Sequence, residues 1–170
     1  MKVLFHANDF IVRVIEEGDL QKTLEVYQQA EDFLSLGPVP RASIEMVHAD
    51  IKHYKESGGL YCMIQHKNGN HVGVVDFVPE TTKGIAFLSL LLISHRFRNR
   101  GIGHSIVKNL ESYLQQKYRT HTIESGVQTN NDPAINFWKK CGFKIGTNAR
   151  AIGDGTIAYE MKKTLVPILP

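Results

Sequence analysis

The chain has 170 residues, 42% of them hydrophobic, and 20 basic against 17 acidic side chains leave a formal net charge of +3. That length suits one globular domain, residues 1–170, able to bury about 70% of the surface its unfolded form exposes, and the small charge excess argues against a nucleic-acid partner gripped along the surface. Residues 1–10 carry Lys2, His6 and Asp9 in place of a secretion signal, the apolar run 85–93 falls far short of the ~20 residues that span a bilayer, and Cys62 and Cys141 are too few for a disulfide scaffold or a zinc site; a soluble, cytoplasmic protein with no membrane partner is expected.

Residues 10–15 alternate weakly and suit a first strand. Asp19 reads as the N-cap of a helix through about residue 31, with Leu20, Leu24 and Tyr27 spaced for one face. Gly37, Pro38 and Pro40 break that helix within residues 33–40. Ser43 is a candidate N-cap for a second helix, which carries Ile44, Val47, Ile51 and Tyr54 until Ser57-Gly58-Gly59 stops it. Three strands follow: residues 60–66 and 72–78 form a hairpin about the Asn68-Gly69-Asn70 turn, and residues 81–84 turn the chain into a strand over 85–93. Residues 101–116 place Ile102, Ile106, Leu110, Tyr113 and Leu114 along one stripe, as a helix packing on a sheet requires. Residues 120–127 supply a fifth strand, and Asp132 with Pro133 reads as N-cap and first turn of a short helix ending at Gly142. Residues 143–149, the Gly153-Asp154-Gly155 turn and residues 156–161 make a last hairpin, and residues 166–170 a tail without an element.

The junction between the strand 85–93 and the following helix carries the most chemistry. Arg98-Asn99-Arg100-Gly101-Ile102-Gly103 sits there. Glycines at 101 and 103 permit positive φ and bring bare amides close to a ligand, while a helix start presents unpaired N–H groups and about half a positive charge. Anions bind such sites readily. Arg96, Arg98 and Arg100 concentrate three guanidinium groups on the bend, each worth roughly 1.5–3 kcal/mol per phosphate hydrogen bond before desolvation. A diphosphate-bearing cofactor fits this pattern; a solvated basic turn is the plain alternative. His104, in the first helical turn, either sits near the diphosphate or caps the helix in water. A dinucleotide fingerprint would want glycine at Ile106 and a Walker loop Gly-Lys-Ser/Thr, and neither is present.

The order strand, two helices, three strands, helix, strand, helix, two strands resembles the GNAT superfamily of N-acyltransferases, whose acetyl-CoA site has the pattern Arg/Gln-x-x-Gly-x-Gly/Ala. Arg98, Gly101 and Gly103 match it. Asn131-x-x-Ala134-x-x-Phe137-Trp138-x-x-x-Gly142-Phe143 resembles that family's Asn-x-x-Ala helix leading into Gly-Phe. The resemblance spans roughly residues 11–163, with specific matches only within 85–143. It implies an α+β fold: a central mixed, mostly antiparallel seven-stranded sheet flanked by about four helices. It also implies an acetyl-CoA-dependent N-acetyltransferase that uses acetyl-CoA as cosubstrate and no metal. The acceptor would be a small-molecule amine or a peptide, attacking directly with no covalent enzyme intermediate, so that Cys62 is not needed as a nucleophile. A homodimer is left open. By the same resemblance the cofactor diphosphate sits on Arg98, Asn99, Arg100, Gly101, Ile102 and Gly103 with His104 beside it. The pantetheine arm lies along the strand 85–93, and the acceptor enters between the fourth and fifth strands. Leu91 is the counterpart of the amide that polarises the thioester carbonyl, a donor usually worth a few kcal/mol. Ile93 matches a backbone group pairing with pantetheine. Asn131 matches the side chain that reaches the cofactor arm, or is an ordinary helix cap.

The chain departs from that pattern in two places. Most members have a tyrosine where Trp138 stands, its hydroxyl protonating the departing thiolate, and indole cannot do this. A thiolate of pKa near 8.5 can take its proton from water or from the acceptor ammonium. Trp138 is expected to pack against pantetheine or the core, and Tyr159 either supplies a replacement hydroxyl or is a structural strand residue. The base is the second departure. Deprotonating an alkyl ammonium of pKa ~10.4 at pH 7 costs roughly 4.6 kcal/mol, so a base or a water chain helps. Some members use a glutamate on the fourth strand, but Phe87 occupies that position and nothing in residues 85–93 ionises. Ser89 could orient a water. Glu80 is the first candidate base, ahead of Asp76 and Glu124, and all three otherwise read as solvated strand residues. Residues 33–40 and the second helix, with Arg41, Glu45 and His48, would border the acceptor pocket, Arg41 holding a carboxylate if the acceptor is acidic. These departures also suit a competing reading, an acyl-CoA-binding regulatory or interaction module without turnover. His48 and His53, five apart, do not share a helix face, and His66 with His71 across a hairpin makes at most a weak metal site.

Overall fold

The structure is a computed structural model that describes residues 1–152 and 154–169. Its strands are β1 (Val3–Ala7), β2 (Phe10–Val14), β3 (Leu60–His66), β4 (His71–Thr82), β5 (Ile85–Ile93), β6 (Thr122–Gln128), β7 (Lys144–Ala151) and β8 (Ile157–Thr164). Its helices are α1 (Leu20–Gln28), α2 (Glu31–Leu34), α3 (Ile44–Glu56), α4 (Ile102–Tyr118) and α5 (Asp132–Lys140). All the strands join one sheet in the order β1-β2-β3-β4-β5-β6-β8-β7, antiparallel at every step except the parallel pair β5–β6.

The mixed, mostly antiparallel sheet with helices on both faces is the expected class, with eight strands in place of seven. The added strand is β1, which pairs with β2 through Ala7↔Phe10 about a two-residue turn in which Asn8 takes φ 55°. Asn and Asp tolerate this left-handed conformation, so Asn8-Asp9 is hairpin chemistry. Only Phe5 and Ala7 of β1 are buried, too short an alternation to stand out in sequence. The first helix also ends earlier than expected, at Gln28. Ala30, fully buried with φ −124° and ψ 23°, bends the chain before α2. Gly153 of the expected 153–155 turn and Pro170 of the tail lie outside the described residues.

Alternation along the strands feeds two cores. On β3, Cys62 and Ile64 pack under α4 and α5 with Ile106 and Leu110, while Tyr61 and Met63 face α1 and α3 with Val26 and Val47. Each such side chain stabilises the fold by about 1.5–3 kcal/mol when fully buried. The local signals agree with this layering. Ser43 Oγ accepts from the Met46 amide (3.2 Å) to start α3, Asn131 Oδ1 accepts from the Ala134 amide (3.2 Å) to start α5, and Asn68 Oδ1 accepts from the Asn70 amide (3.0 Å) across the β3–β4 turn.

One irregularity shapes the site. Asp76 pairs with Leu90 but Phe77 pairs with Leu88, so Ser89 is an extra residue bulged out of β5. Before the bulge Ala86 and Leu88 face the α4 core; after it Leu90 and Leu92 face the α1–α3 core. The parallel pairing of β5 with β6 runs only from Ile85↔Thr122 to Leu88↔Ser125, where Ser125 Oγ donates to the Leu88 carbonyl at 2.5 Å. Beyond that clamp the two strands part, and the sheet forks.

Candidate active site

The loop from β5 to α4 forms one arm of the site. The Arg98 amide donates to the His95 carbonyl (3.1 Å) and the Ser105 amide to the Gly101 carbonyl (3.1 Å). Between them, among the described residues, no amide N–H of residues 99–104 donates to a protein acceptor. Asn99 at φ 59° and Gly101 at φ 75° curl the backbone twice, so that successive N–H groups converge ahead of the helix. Curled amides and a helix N-terminus together make an anion cradle. The two glycines serve it differently. Gly101 supplies the left-handed turn with open space where a Cβ would stand, whereas a Cβ on Gly103 would lie 3.2 Å from two ring carbons of Phe137, so Gly103 lets α5 close on the first turn of α4.

The arginines divide in a way the sequence does not show. Arg98 turns inward: Nε donates to the Ile93 carbonyl (2.8 Å), and Nη1 and Nη2 donate to the Asp32 carboxylate (2.5 and 3.1 Å). The guanidinium holds the Asp32 carboxyl below its ordinary range. Arg98 therefore ties the end of β5 to Asp32 of α2 and shapes the loop. Arg96 and Arg100 stay exposed, their guanidinium carbons 4.9 and 6.0 Å from the Phe97 ring centre. His104 is exposed too, with Nδ1 3.6 Å from the Cys141 sulfur.

The fork between β5 and β6 opens into a cleft of about 630 Å³. Leu91 and Ser89 line it from β5, and Asn131 and Trp138 from α5. Asn131 both caps α5 and borders the cleft, so its two expected roles coexist in position. Trp138 is 8% exposed and stands edge-on to Phe137 and Phe143, with ring centres 4.9 and 5.1 Å apart, which fixes one face as core and leaves an edge at the cleft.

The opposite wall holds the charge. Asp76, expected to be solvated, is 0% exposed, lines the cleft, and has no hydrogen-bond partner for either carboxylate oxygen. Burial pushes its pKa up to about 8, against the downward pull of the nearby Ser89 hydroxyl and, less, of the Leu90 amide, and Asp50 adds to the rise. The bulge explains the placement: β4 carries Asp76 opposite Leu90, on the face it shares with Val74, where α1 and α3 cover the sheet. Around it, the Tyr27 and Tyr61 hydroxyls are 2.5 Å apart and the Tyr27 hydroxyl donates to Asp50 Oδ2 at 3.2 Å. Burial raises the pKa of Asp50, pushes Tyr54 up to about 12, and lifts Tyr27 and Tyr61 well above the ordinary phenol. Tyr27, Asp50 and Tyr54 line the cleft together with Asp76.

Several sequence candidates stand elsewhere. Glu80 is exposed on the far end of β4, where its carboxylate accepts from the Gly84 amide (3.4 Å), and it does not line the cleft. Glu124 lies in a separate depression with Lys144 and Lys162. Tyr159 packs against the core under α4 and α5; its neighbour Ala158 is the one that reaches the cleft, because successive strand residues face opposite ways. Arg41, Glu45 and His48 are exposed and outside the cleft lining, which α3 supplies through Met46, Asp50 and Tyr54. Cys62 is buried with its thiol pKa pushed up by burial, and that of Cys141 rises to about 11. His66 and His71 part company: the first accepts from the Asn68 amide (3.2 Å), the second sits 3.2 Å from Arg13 Nη2. Among the described residues no three His, Cys, Asp or Glu side chains converge to hold a metal, and no helix is long and apolar enough to cross a membrane.

Asp50, Tyr27 and Tyr54 were not legible as site residues. Tyr27 and Tyr54 read as core positions. The available signal was a carboxylate at 50 on the stripe of Val47, Ile51 and Tyr54, and likewise a lone Asp76 within the apolar run 72–78.

Proteins of similar sequence or similar architecture include several N-acetyltransferases. The chain is 32% identical over 75 residues to a streptothricin acetyltransferase of Escherichia coli, covering 44% of this chain and 42% of that protein. It is 23% identical over 162 residues to the L-amino acid N-acetyltransferase AaaT of Escherichia coli (strain K12), covering 92% and 98%. Among solved structures, the spermidine N-acetyltransferase of Vibrio cholerae in complex with CoA and spermine superposes with a TM-score of 0.72 at 16% identity, covering 92% of this chain and 96% of that one. The Salmonella typhimurium acetyltransferase that modifies the N-terminal serine of ribosomal protein L7/L12 gives 0.80 at 11%, covering 97% and 100%. The profile of the acetyltransferase (GNAT) family matches residues 23–143, a span that holds the amide cradle, the forked strands and the capped helix beside them, and the chain belongs to that family.

Proposed function

We propose that this acyltransferase moves the acetyl group of acetyl-CoA to a primary amine by direct attack, with the cofactor diphosphate on the amides of residues 99–104 and Asp76 as general base. One observation carries the reading: an amide cradle without protein acceptors and a fully buried, unpartnered carboxylate flank the same forked strand.

The residues fit the group they would hold. Unpaired N–H groups suit a dianionic diphosphate, and the bare Cα of Gly103 keeps Phe137 packed behind them. Acetyl-CoA, when bound, supplies a thioester whose carbonyl carbon bonds to the amine nitrogen as the carbon–sulfur bond breaks, and the thiolate takes up, directly or through water, the second proton that the nitrogen sheds. Leu91, on the stretch of β5 that pairs with β4 but has no β6 partner, is the donor to the carbonyl oxygen. Asp76, across the register from Leu90, takes the proton that the amine must lose. A base of pKa about 8 lies much closer to an alkyl ammonium than an ordinary carboxylate does, and proton transfer is correspondingly easier. This group also answers one of the two departures that suit a module without turnover: the ionisable side chain missing from β5 stands on the neighbouring β4, while Trp138 still lacks the tyrosine hydroxyl. The relatives named above act on streptothricin, L-amino acids, spermidine and a protein N-terminal serine, so their names do not converge on one acceptor.

A thiol-release assay over amines and peptides, combined with acetyl-CoA titration of Gly103→Asp and Arg98→Ala, tests the reading. Gly103→Asp places a carboxylate and a clashing Cβ at the cradle, and is expected to weaken acetyl-CoA by at least about tenfold, a loss of ~1.4 kcal/mol. Arg98→Ala acts by loosening the loop from Asp32 and is expected to weaken it less. Normal affinity in both variants overturns the placement.

A further inference from the structure

We infer that the acceptor is an aliphatic diamine, or an amine with a second cationic group on an apolar arm, and that it carries no carboxylate: Asp76 receives the reacting nitrogen and Asp50 the distal ammonium. The inference rests on the acetyltransferase reading and narrows its acceptor.

The charge of the cleft is one-sided. Among the described residues it is lined by Asp50 and Asp76 on its helical wall, with Asp154 at the far rim, and by no Lys, Arg or His. An acceptor carboxylate would meet no cation there, only acids and neutral groups such as the Tyr54 phenol, Ser89, Gln128 and Asn131. Arg41, the one cation that the sequence offers for an acidic acceptor, is exposed and outside the lining. Acidic residues in a group are common on solvated surfaces, but Asp76 is different: 0% exposed, aimed into the cleft, and without a hydrogen-bond partner on either oxygen. Leaving a buried carboxylate unmatched is costly, and an ammonium is the group that supplies both the charge and the donors it lacks.

The two carboxylates differ in depth, which orders the ligand. Asp76 sits on the sheet opposite Leu90, next to Leu91, where the acetyl group is to be handed over. Asp50 sits on α3, half-buried, and is held by the Tyr27 hydroxyl, four residues before Tyr54 on the same helical face. Phe33, Leu34, Val39 and Met46 complete that wall with apolar surface, suited to methylene groups between the two nitrogens. A free amino acid puts its negative charge where the cleft offers no cationic partner.

Three acceptors of matched chain length separate the possibilities: 1,4-diaminobutane, butylamine and 4-aminobutanoate, each assayed by thiol release with acetyl-CoA binding measured by calorimetry on the same protein. The expected order of kcat/KM is diamine above butylamine by at least about tenfold, with 4-aminobutanoate slowest. Asp50→Asn is expected to lower the diamine's kcat/KM about tenfold and to bring the diamine-to-butylamine ratio close to one, which a purely structural role for Asp50 would not do; Asp50→Glu is expected to restore part of the ratio. Equal turnover of diamine and butylamine, preference for 4-aminobutanoate, or an unchanged ratio in Asp50→Asn overturns the inference while leaving the acetyltransferase reading intact. Failure of acetyl-CoA to bind at all overturns both.

Discussion

Asp19 and Asp76 are both buried carboxylates on the same side of one molecule, and they are treated in opposite ways. Asp19, 6% exposed, accepts from Arg13 Nη1 (2.6 Å) and Nη2 (2.8 Å) and from the Glu16 amide (2.9 Å). Arg13, itself 5% exposed, spends its remaining Nε on Gln65 Oε1 (2.8 Å). Every lone pair that matters has a partner, and the pKa of Asp19 is held down to about 2 by Arg13, against the cost of its burial. Asp76 has the burial without the partners, and its pKa moves the other way, up to about 8. A buried acid that is fully matched belongs to the scaffold; one left unmatched at a cleft wall is held ready for something that arrives later.

The contrast is most sharply tested by removing each charge. Asp76→Asn is expected to lower kcat by roughly 10²–10⁴-fold, the usual contribution of a general base, measured by thiol release at saturating amine. The same variant is expected to unfold at a higher temperature than the parent at pH 8, since it no longer has to keep a carboxyl neutral. A variant that loses stability along with rate would mean that Asp76 is a scaffold residue like Asp19.

Asp19→Ala is expected to show the reverse. It leaves Arg13 buried and unpaired, a loss of about 3–5 kcal/mol, or roughly 10 °C in Tm for a chain of this size, with acetyl transfer well below the transition close to that of the parent. Thermal unfolding followed by circular dichroism alongside the rate assay would show it, and a large rate loss in the folded variant would erase the distinction between the two acids.

The pH dependence of stability separates them without mutation. For Asp19 the folded-state pKa is lowered, so its stabilisation is present above about pH 4 and is lost as pH falls toward about 2. For Asp76 it is raised: the unfolded chain ionises near pH 4 while the folded one stays neutral, so stability is highest below about pH 4 and is lost as pH climbs to about 8. Each tenfold change in proton affinity is worth about 1.4 kcal/mol, so denaturant titrations at pH 5 and pH 8 should differ by a few kcal/mol in the parent and by much less in Asp76→Asn. Asp50, Tyr27, Tyr54 and Tyr61 face the same group, and burial raises the pKa of all four. The rate should rise as pH passes through about 8, where Asp76 ionises in the folded chain.

The smallest effects are expected from the two side chains that the sequence put forward in the place of Asp76 and its acid partner. Glu80→Gln and Tyr159→Phe should each leave kcat within about twofold, since neither lines the cleft. A tenfold loss in either would move the chemistry away from the fork.

Much of this arrangement was legible before any coordinates. The loop at residues 98–103 announces itself because conformational chemistry is local: glycine for positive φ, a helix start for unpaired amides, and a preceding apolar strand are all readable within about twenty residues. The cap at Ser43 and the hairpin at Asn68-Gly69 are legible for the same reason, whereas the cap of α5 falls on Asn131, one residue before the Asp132 expected from the sequence. What stayed hidden needed partners distant in the chain. Arg98 looks like a phosphate ligand until Asp32, sixty-six residues earlier, is found holding it. Glu80 and Asp76 are equivalent as letters on one strand, and only burial separates them.

The sequence by itself determined the order of elements apart from β1 and the break before α2, the glycine loop at the start of α4 and the family resemblance, because those depend on short-range backbone preferences and on spacing. Tertiary structure alone decided which carboxylate meets the cleft. A single extra residue at Ser89 bends β5 away from β6, opens the fork and changes the face that Leu90 and Leu92 present, while α1 and α3 close over Asp76. Burial and charge matching are properties of three dimensions, set by segments that meet only once the chain has folded.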